Sequence, residues 1–312
     1  MGTYIARRLL LLIPILIGVT LITFILMRII PGDPVLQLMD PRAAKVDPEV
    51  AAKIKAYWGL DKPAYIQYLK FVWNALHGHL GYSYRSNQDV LKVILERFPA
   101  TFKLTLLSMS FAIFFGVLIG VISAIKHNTF IDVISMTIAL IGVSTPIFWL
   151  GLILMYIFGV LWPILPPSGY GPGLSYLILP SLTLGYAVTA FISRISRSSV
   201  LNVIGMDYVI TARAKGLSEK IVIYKHVLKN ALIPIVTIIG IETGWLLGGA
   251  IVTETVFGWP GIGRLLIESI MARDLPMVQG CILFIALLFS LVNLTVDIIY
   301  SFIDPRVKYG KG

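Results

Sequence analysis

Charge is what this 312-residue chain has least of. Asp, Glu, Lys and Arg together make up 13% of it, about half of the roughly 25% found in a soluble domain. With 57% hydrophobic residues, that scarcity excludes a large soluble core and predicts a polytopic membrane protein. Cysteine is nearly absent too. Cys281 stands alone in an apolar run, so no internal disulfide is possible and a redox role is not expected. The four histidines (77, 79, 127 and 226) do not fall at metal-ligand spacing. His77 and His79, two apart, read as a solvated loop pair, and no metal site is expected. There is no H-E-x-x-H and no intramembrane protease signature. The Gly-Lys pair Gly310-Lys311 is not part of a phosphate loop, so no nucleotide-binding motif is present. No catalytic residues are expected; the chain does not read as an enzyme. A net charge of +10 does not imply nucleic acid, because the basic residues sit at the ends of apolar spans, where membrane topology explains them.

What is abundant is long apolar sequence. A span needs about 20 apolar residues, and six segments qualify: Leu9–Ile30, Thr101–Ile125, Ile134–Leu161, Leu174–Ile192, Ala231–Thr253 and Gly280–Ile303. The fourth is the weakest, being short and opened by Pro180. The first follows MGTYIARR and is longer than the 7–15-residue core of a signal peptide, so it reads as a retained span. Arg7 and Arg8 precede it, Lys126 lies between spans two and three, and seven basic residues fall between Arg194 and Lys229. Trp162–Gly173 has none. Positive charge marks the inner side, which places both termini in the cytoplasm. The loop Pro31–Ala100 carries nine basic residues but also seven acids, and long loops translocate largely regardless of charge.

These boundaries divide the chain into residues 1–30 (cytoplasmic tip and first span), 31–100 (extracytoplasmic subdomain), 101–303 (transmembrane core, including a cytoplasmic loop at 194–230) and 304–312 (cytoplasmic tail). Within 31–100, Asp47-Pro48 predicts a helix start and Gly59 its end. Asp61 and Pro63 open a second helix to about Leu76. Ser86-x-x-Asp89 reads as a capping box for a third, to about Arg97, and Leu80–Tyr84 reads as extended. A small helical subdomain resting on the membrane portion is expected; the alternative is a tolerated insertion.

Inside the apolar spans, a few residue types stand out. Gly240, Gly244 and Gly248 recur every four residues and share one helical face, as do Gly116 and Gly120. Such faces let a second backbone approach closely, either within the subunit or between subunits. Glu242 lies mid-span, Glu254 at the outer end of span five and Asp297 in span six. A central carboxylate disfavours insertion by about 2.5–3.5 kcal/mol. The eleven Leu, Ile and Val residues of span five offset this by roughly 3–7 kcal/mol. Retaining Glu242 therefore suggests pathway lining, a hydrogen bond between helices, or proton coupling.

The most informative stretch is DYVITARAKGLSEKIVIYKHVLKNALIP, Asp207–Pro234. It is a basic island between apolar spans. Asp207–Lys215 reads as a short helix, Gly216 as its left-handed terminator and Ser218 as the cap of a second helix leading into span five. An anchor to anionic lipid, at about 1 kcal/mol per basic residue, is the plainer reading. It needs neither the glycine break nor the small residues Ala212 and Ala214, which suit docking into a partner's groove.

Here the chain resembles a family: the inner-membrane permease subunits of binding-protein-dependent ABC importers, in the dipeptide, oligopeptide and nickel branch, as a B-type subunit. RRLLLLIPILIGVTLITFILMRIIPGDP resembles that family's first span and its Gly-Asp-Pro exit (Gly32, Asp33, Pro34). HLGYSYRSNQDVLKVILERFPATFKLTL resembles its entry to the second span. YVITARAKGLSEK resembles its cytoplasmic "EAA" loop, TETVFGWPGIGRL its turn after span five, and Asp304–Gly310 its ending. The pattern departs where Ile210 and Thr211 replace Glu and Ala, where Lys229 replaces a proline, and where His79 replaces a frequent Asp. The resemblance implies an all-α type I importer permease of six transmembrane helices in a prokaryotic plasma (inner) membrane. It implies a second homologous permease, two cytoplasmic ATPases holding ATP and magnesium, an extracytoplasmic binding protein and a peptide-class substrate. It makes Tyr208, Thr211, Ala212, Arg213, Ala214, Lys215, Gly216 and Leu217 the ATPase-coupling loop; Glu242, Glu254 and Asp297 are pathway or gate candidates as acids in or beside apolar spans. No cofactor is expected in this chain. The rival from another class is a secondary transporter driven by protons through Glu242 and Asp297.

Overall fold

The computed structural model describes residues 2–29 and 48–303. The Gly32-Asp33-Pro34 exit, the Asp47 cap and the Asp304–Gly310 ending lie outside the described residues. Among those described there is no strand, only an isolated antiparallel bridge between Tyr82 and Asp89, and the remainder is dominated by helices.

The chain forms two compact units. One comprises Gly2–Ala100 and Pro260–Leu288; the other comprises Thr101–Trp259 and the segment from Phe289 onward. The first unit holds α1 (Gly2–Ile29), α2 (Pro48–Trp58) and α3 (Ala64–Leu76). Gly59, at φ 66°, ends α2 as the sequence implies. α4 (Val90–Ile125) starts here and runs on into the second unit as one continuous helix with Pro99 inside it. The expected short third helix ending near Arg97 is therefore the opening of the second span. Its cap also differs from the capping-box reading. Asp89, not Ser86, does the capping: the Lys92 amide donates to Asp89 Oδ1 at 2.9 Å. A turn through Asn87, at φ 54°, closed by the Ser83 amide on the Gln88 carbonyl at 2.9 Å, places Asp89 there.

In this same unit α12 (Ile262–Met271) leads to the start of α13 (Leu275–Ile303). Asp274 is buried and ties the loop to that start. It accepts from the Ser83 hydroxyl and from the Tyr84 amide at 3.0 Å. Burial and the nearby Asp274 carboxylate push the Tyr84 phenol up to about 12, so it stays neutral. Gly280 lets Val90 and Ile94 sit against α13.

The second unit is centred on α7 (Ser175–Ile204), the most thoroughly buried helix. It packs on α5 (Phe130–Ser144), α6 (Ile147–Met155) and α10 (Lys229–Leu247). A Cβ at Gly116 of α4 would lie 2.8 Å from Ile192 Cβ, so the paired small residues of α4 bring α7 against its backbone. Pro180 lies inside α7 rather than opening it, and the helix continues twelve residues past the expected end at Ile192.

Span three is not straight. α5 and α6, the latter continued by a π-helical turn at Tyr156–Leu161, meet at 100°. The cause is local. Thr145 precedes Pro146 and is extended at ψ 124°, the conformation proline imposes on its predecessor. Span five also differs from its expected limits. It enters through α9 (Glu219–Ile221) and a π-helical turn, Val222–Leu228, and α10 ends at Leu247. A separate short helix, α11 (Ile251–Val256), follows. Five helices are long and apolar enough to cross a membrane, and the bent α5–α6 pair makes a sixth if counted as one. The chain is a multi-pass membrane protein.

Candidate functional site

The basic island folds as a helical hairpin. α8 (Asp207–Ala214) opens with Asp207, an acid favoured by the helix N-terminus, and closes at Lys215. Gly216 follows at φ 77°. A Cβ there would meet nothing within 4 Å, so it is the left-handed backbone, not lack of space, that requires glycine. Ser218 is extended and its carbonyl accepts from the Val222 amide at 3.0 Å. Its side chain, expected as the cap, makes no capping bond.

Arg213 clasps Glu219 across the glycine turn, Nη2 to Oε1 at 2.7 Å and Nε to Oε2 at 3.1 Å. That bond raises the Arg213 pKa further above its ordinary value. Both side chains are well exposed, and a solvated pair of this kind contributes only about 0–1 kcal/mol. The clasp selects a geometry more than it stabilises the fold. Asn230 Nδ2 donates to the Tyr208 hydroxyl at 2.9 Å, joining α8 to the start of α10.

Beneath the hairpin lies its seat. Val209 and Ala212 are buried with Val200 and Val203 of α7, Ala124 of α4, Val222 and Val227, and Ala231 and Ile235 of α10. This corrects one sequence reading. Ala212 does not face a partner's groove; it packs into its own chain, because Val209 and Ala212 are three apart and share one helical face. Tyr208, Thr211, Arg213, Ala214, Lys215, Gly216 and Leu217 remain exposed. Exposed apolar residues surround them, namely Met206, Ile210, Ile221 and Tyr224. Sequence reasoning missed these four. The available signal was their presence in a segment otherwise rich in Lys and Arg.

A second cluster had no sequence reading. Asp132, buried at the start of α5, receives both Nε and Nη2 of Arg197 on α7 at 2.7 Å. The Ser123 hydroxyl on α4 and the Asn128 amide at 3.0 Å also donate to it, and His127 Nδ1 lies at 3.2 Å. Asn128 holds φ 60° to make the turn. The carboxylate thus fastens three helices beside the seat: Ser123 adjoins Ala124, and Arg197 lies one helical turn from Val200. Sixty-five positions separate Asp132 from Arg197, and nothing in a single sequence links them.

The pathway and gate candidates are dispersed. Glu242 is half-buried on α10 and has no hydrogen-bond partner among the described residues. Asp297 is half-buried on the neighbouring α13. Glu254 lies on α11, fully buried, and accepts from Thr101 Oγ1 at 2.8 Å. Of the glycine stripe, Gly240 abuts Val296, and a Cβ at Gly244 would lie 2.8 Å from Phe289 Cδ2. Both serve packing of α10 on α13 within the chain. Gly248 caps the end of α10, its amide donating to the Gly244 carbonyl at 3.0 Å. The described residues hold no group of three His, Cys, Asp or Glu able to bind a metal. What the arrangement offers is an exposed helical surface seated on the ends of two spans.

The model of the binding-protein-dependent transport system inner membrane component matches residues 116–309, and that of the N-terminal part of such membrane components matches residues 1–105. The chain is 44% identical to the dipeptide transport system permease protein DppB of Alkalihalophilus pseudofirmus, covering 99% of this chain and 100% of that one. It is 46% identical to the di/tripeptide transport system permease protein DppB of Pseudomonas aeruginosa, covering 99% of each. Among solved structures it is similar to a chain of the MetNI methionine ABC transporter in an inward-facing conformation. The TM-score there is 0.58 at 20% identity, over 68% of this chain and 96% of that one.

Proposed function

Because the chain belongs to the binding-protein-dependent transport system inner membrane components, as a permease subunit of an ABC importer, we propose that the hairpin at Asp207–Leu217 is where ATP-driven motion enters it. Six spans cross the membrane, with α5 and α6 together making the bent third. Both termini are cytoplasmic, and residues 31–100 lie on the extracytoplasmic side. A second, homologous permease completes the pathway. Two ATPases carry the ATP and magnesium, and a binding protein delivers the substrate. That substrate is of the peptide class, short di- or tripeptides by kinship with the dipeptide and di/tripeptide permeases. Family membership sets aside proton coupling through Glu242 and Asp297.

One observation carries the reading: α8 is open on its outer side and packed on its inner side against the ends of α7 and α10. A push on the exposed face is therefore delivered to two spans as a rigid-body movement. The exposed surface combines Lys215 and Arg213 with Ile210, Leu217 and Tyr224, the mixed charged and apolar character of a protein-binding patch.

Gly216→Val tests it. A β-branched residue at φ 77° is strained by at least about 1–2 kcal/mol and re-aims the hairpin. The expected outcome is normal membrane level, retained basal ATPase activity in the assembled complex, and peptide uptake reduced at least about tenfold, a coupling loss of roughly 1.4 kcal/mol. Uptake at the unmodified rate would overturn the assignment of this loop.

A further inference from the structure

α3 carries three chemically distinct faces. At 100° per residue, Tyr65, Leu69, Trp73 and Leu76 fall within one narrow sector. Gln67, Lys70 and Asn74 form a polar sector, and Tyr68, Phe71 and Ala75 a third. The sector that should be hidden in a soluble subdomain is the one most exposed: Tyr65 is 67%, Leu69 62%, Trp73 65% and Leu76 77% accessible. No residue of α3 is buried. In water, four large apolar side chains on one helical face are unfavourable at about 1.5–3 kcal/mol each for those left uncovered.

The depth of the helix says what covers them. Leu10–Ile29 of α1 is a 20-residue candidate span, about 30 Å at 1.5 Å per residue, the thickness of the hydrocarbon layer. The Tyr68 ring lies against Phe24, with centroids 5.4 Å apart. Its hydroxyl donates to the Ile17 carbonyl at 3.0 Å and lies 3.1 Å from Thr20 Oγ1. Phe24 is about 7.5 Å along the axis from Ile29, and Ile17 about 18 Å. Next to Tyr68, Gln67 Oε1 accepts from Arg28 at the end of the same span. The Arg28 guanidinium folds back over the Phe24 ring, 4.6 Å from its centroid, so the Gln67 contact lies below the end of the span, and Tyr68 reaches further down into the slab. At those depths the flanking side chains of α3 meet acyl chains, with Trp and Tyr enriched toward the membrane–water boundary.

We propose that the Tyr65–Leu69–Trp73–Leu76 face of α3 is immersed in phospholipid acyl chains of the outer leaflet, while its Gln67–Lys70–Asn74 face turns away from them and lines the open cavity it shares with Phe24, Tyr82 and Leu275. The assignment to the outer leaflet rests on the topology given under Proposed function. The helix anchors the first unit to the bilayer beside α1, so residues 64–76 belong to the membrane rather than to a subdomain standing above it.

Nitroxide labels on single cysteines test the face, in the assembled complex in bilayers of phosphatidylethanolamine and phosphatidylglycerol. The background is Cys281→Ala, and each variant is first checked for peptide uptake. Labels at Leu69→Cys, Trp73→Cys and Leu76→Cys should collide several-fold more with oxygen than with an aqueous nickel chelate. Those at Lys70→Cys and Asn74→Cys should show the reverse. Tyr65→Cys supplies a further position if one variant fails to assemble. Equal access of the nickel chelate to both faces would overturn the proposal, and so would a fall in both collision rates at 69 and 73, which marks a protein cover. A membrane-impermeant maleimide in sealed vesicles should reach Lys70→Cys from outside. Labelling solely from the cytoplasmic side would overturn the leaflet and the topology while leaving the lipid face standing.

Discussion

Two short helices outside the long spans, α8 and α3, are built on opposite plans. α8 turns its small apolar residues inward: Val209 and Ala212 are buried in a seat made by α4, α7 and α10. α3 turns its large apolar residues outward, and one hydroxyl, Tyr68, reaches into the first span. Position in the chain does not explain the difference, since both adjoin spans. What differs is what each lies against. In the proposed coupling role, α8 transmits force through close-packed protein, where a volume change of one methylene is felt. A helix that must only stay at a given depth is held by lipid, which tolerates many shapes.

The contrast predicts a ranking. The largest effect should come from Asp132→Ala, which leaves Arg197 without its carboxylate next to the seat of α8, with only His127 Nδ1 at 3.1 Å still beside it. Breaking a buried pair is unfavourable by about 3–5 kcal/mol, and the quarter exposure of the Arg197 side chain puts this case at the low end. A lowered melting temperature of the purified complex is expected, together with reduced uptake. A thermal stability equal to the parent would remove the cluster from the account of how α8 is held. Next comes Ala212→Leu, which overfills the seat by about 1–3 kcal/mol. Uptake should fall more than basal ATPase activity does, because the hairpin is displaced and not destroyed. If the substitution proves silent, α8 is no more tightly seated than α3. Smallest is Tyr68→Phe. It removes the hydroxyl's bonds to the Ile17 carbonyl and Thr20 Oγ1 within the first unit, each worth about 0.5–1.5 kcal/mol. Uptake should be near normal, with a slight loss of thermal stability; a severe transport defect would make α3 part of the moving machinery and erase the distinction.

Much of α8 is legible in the amino-acid sequence. A basic helical segment ends at Gly216, which marks that glycine as the left-handed residue, and φ 77° agrees. Pro48, Gly59 and Pro63 likewise mark the two helices at 48–58 and 64–76. Where sequence and structure part, the cause is shared: a local signal carries no information about neighbours in space. The small side chain of Ala212 suits docking on the outer face, but helical phase with Val209 sends it inward. The break at Pro146 is hidden in an unbroken apolar run, since hydropathy does not register a proline. Ser86 has the spacing of a cap, whereas a turn through Asn87 delivers Asp89 instead.

The sequence by itself determined that the chain lives in a membrane, that it has no nucleotide motif of its own, and that a basic helix–glycine–helix element interrupts its spans. Those properties depend on residue types and their order, because insertion, motif chemistry and a left-handed turn are settled between a segment and its immediate solvent or backbone. Tertiary structure alone decided that Asp132 meets Arg197, that Ala212 faces its own chain, that Glu254 is closed off with Thr101, and that Tyr68 lies along the first span. Each is a contact between residues far apart in the chain. The strength of such a contact depends on distance and burial, which only the packed helices fix.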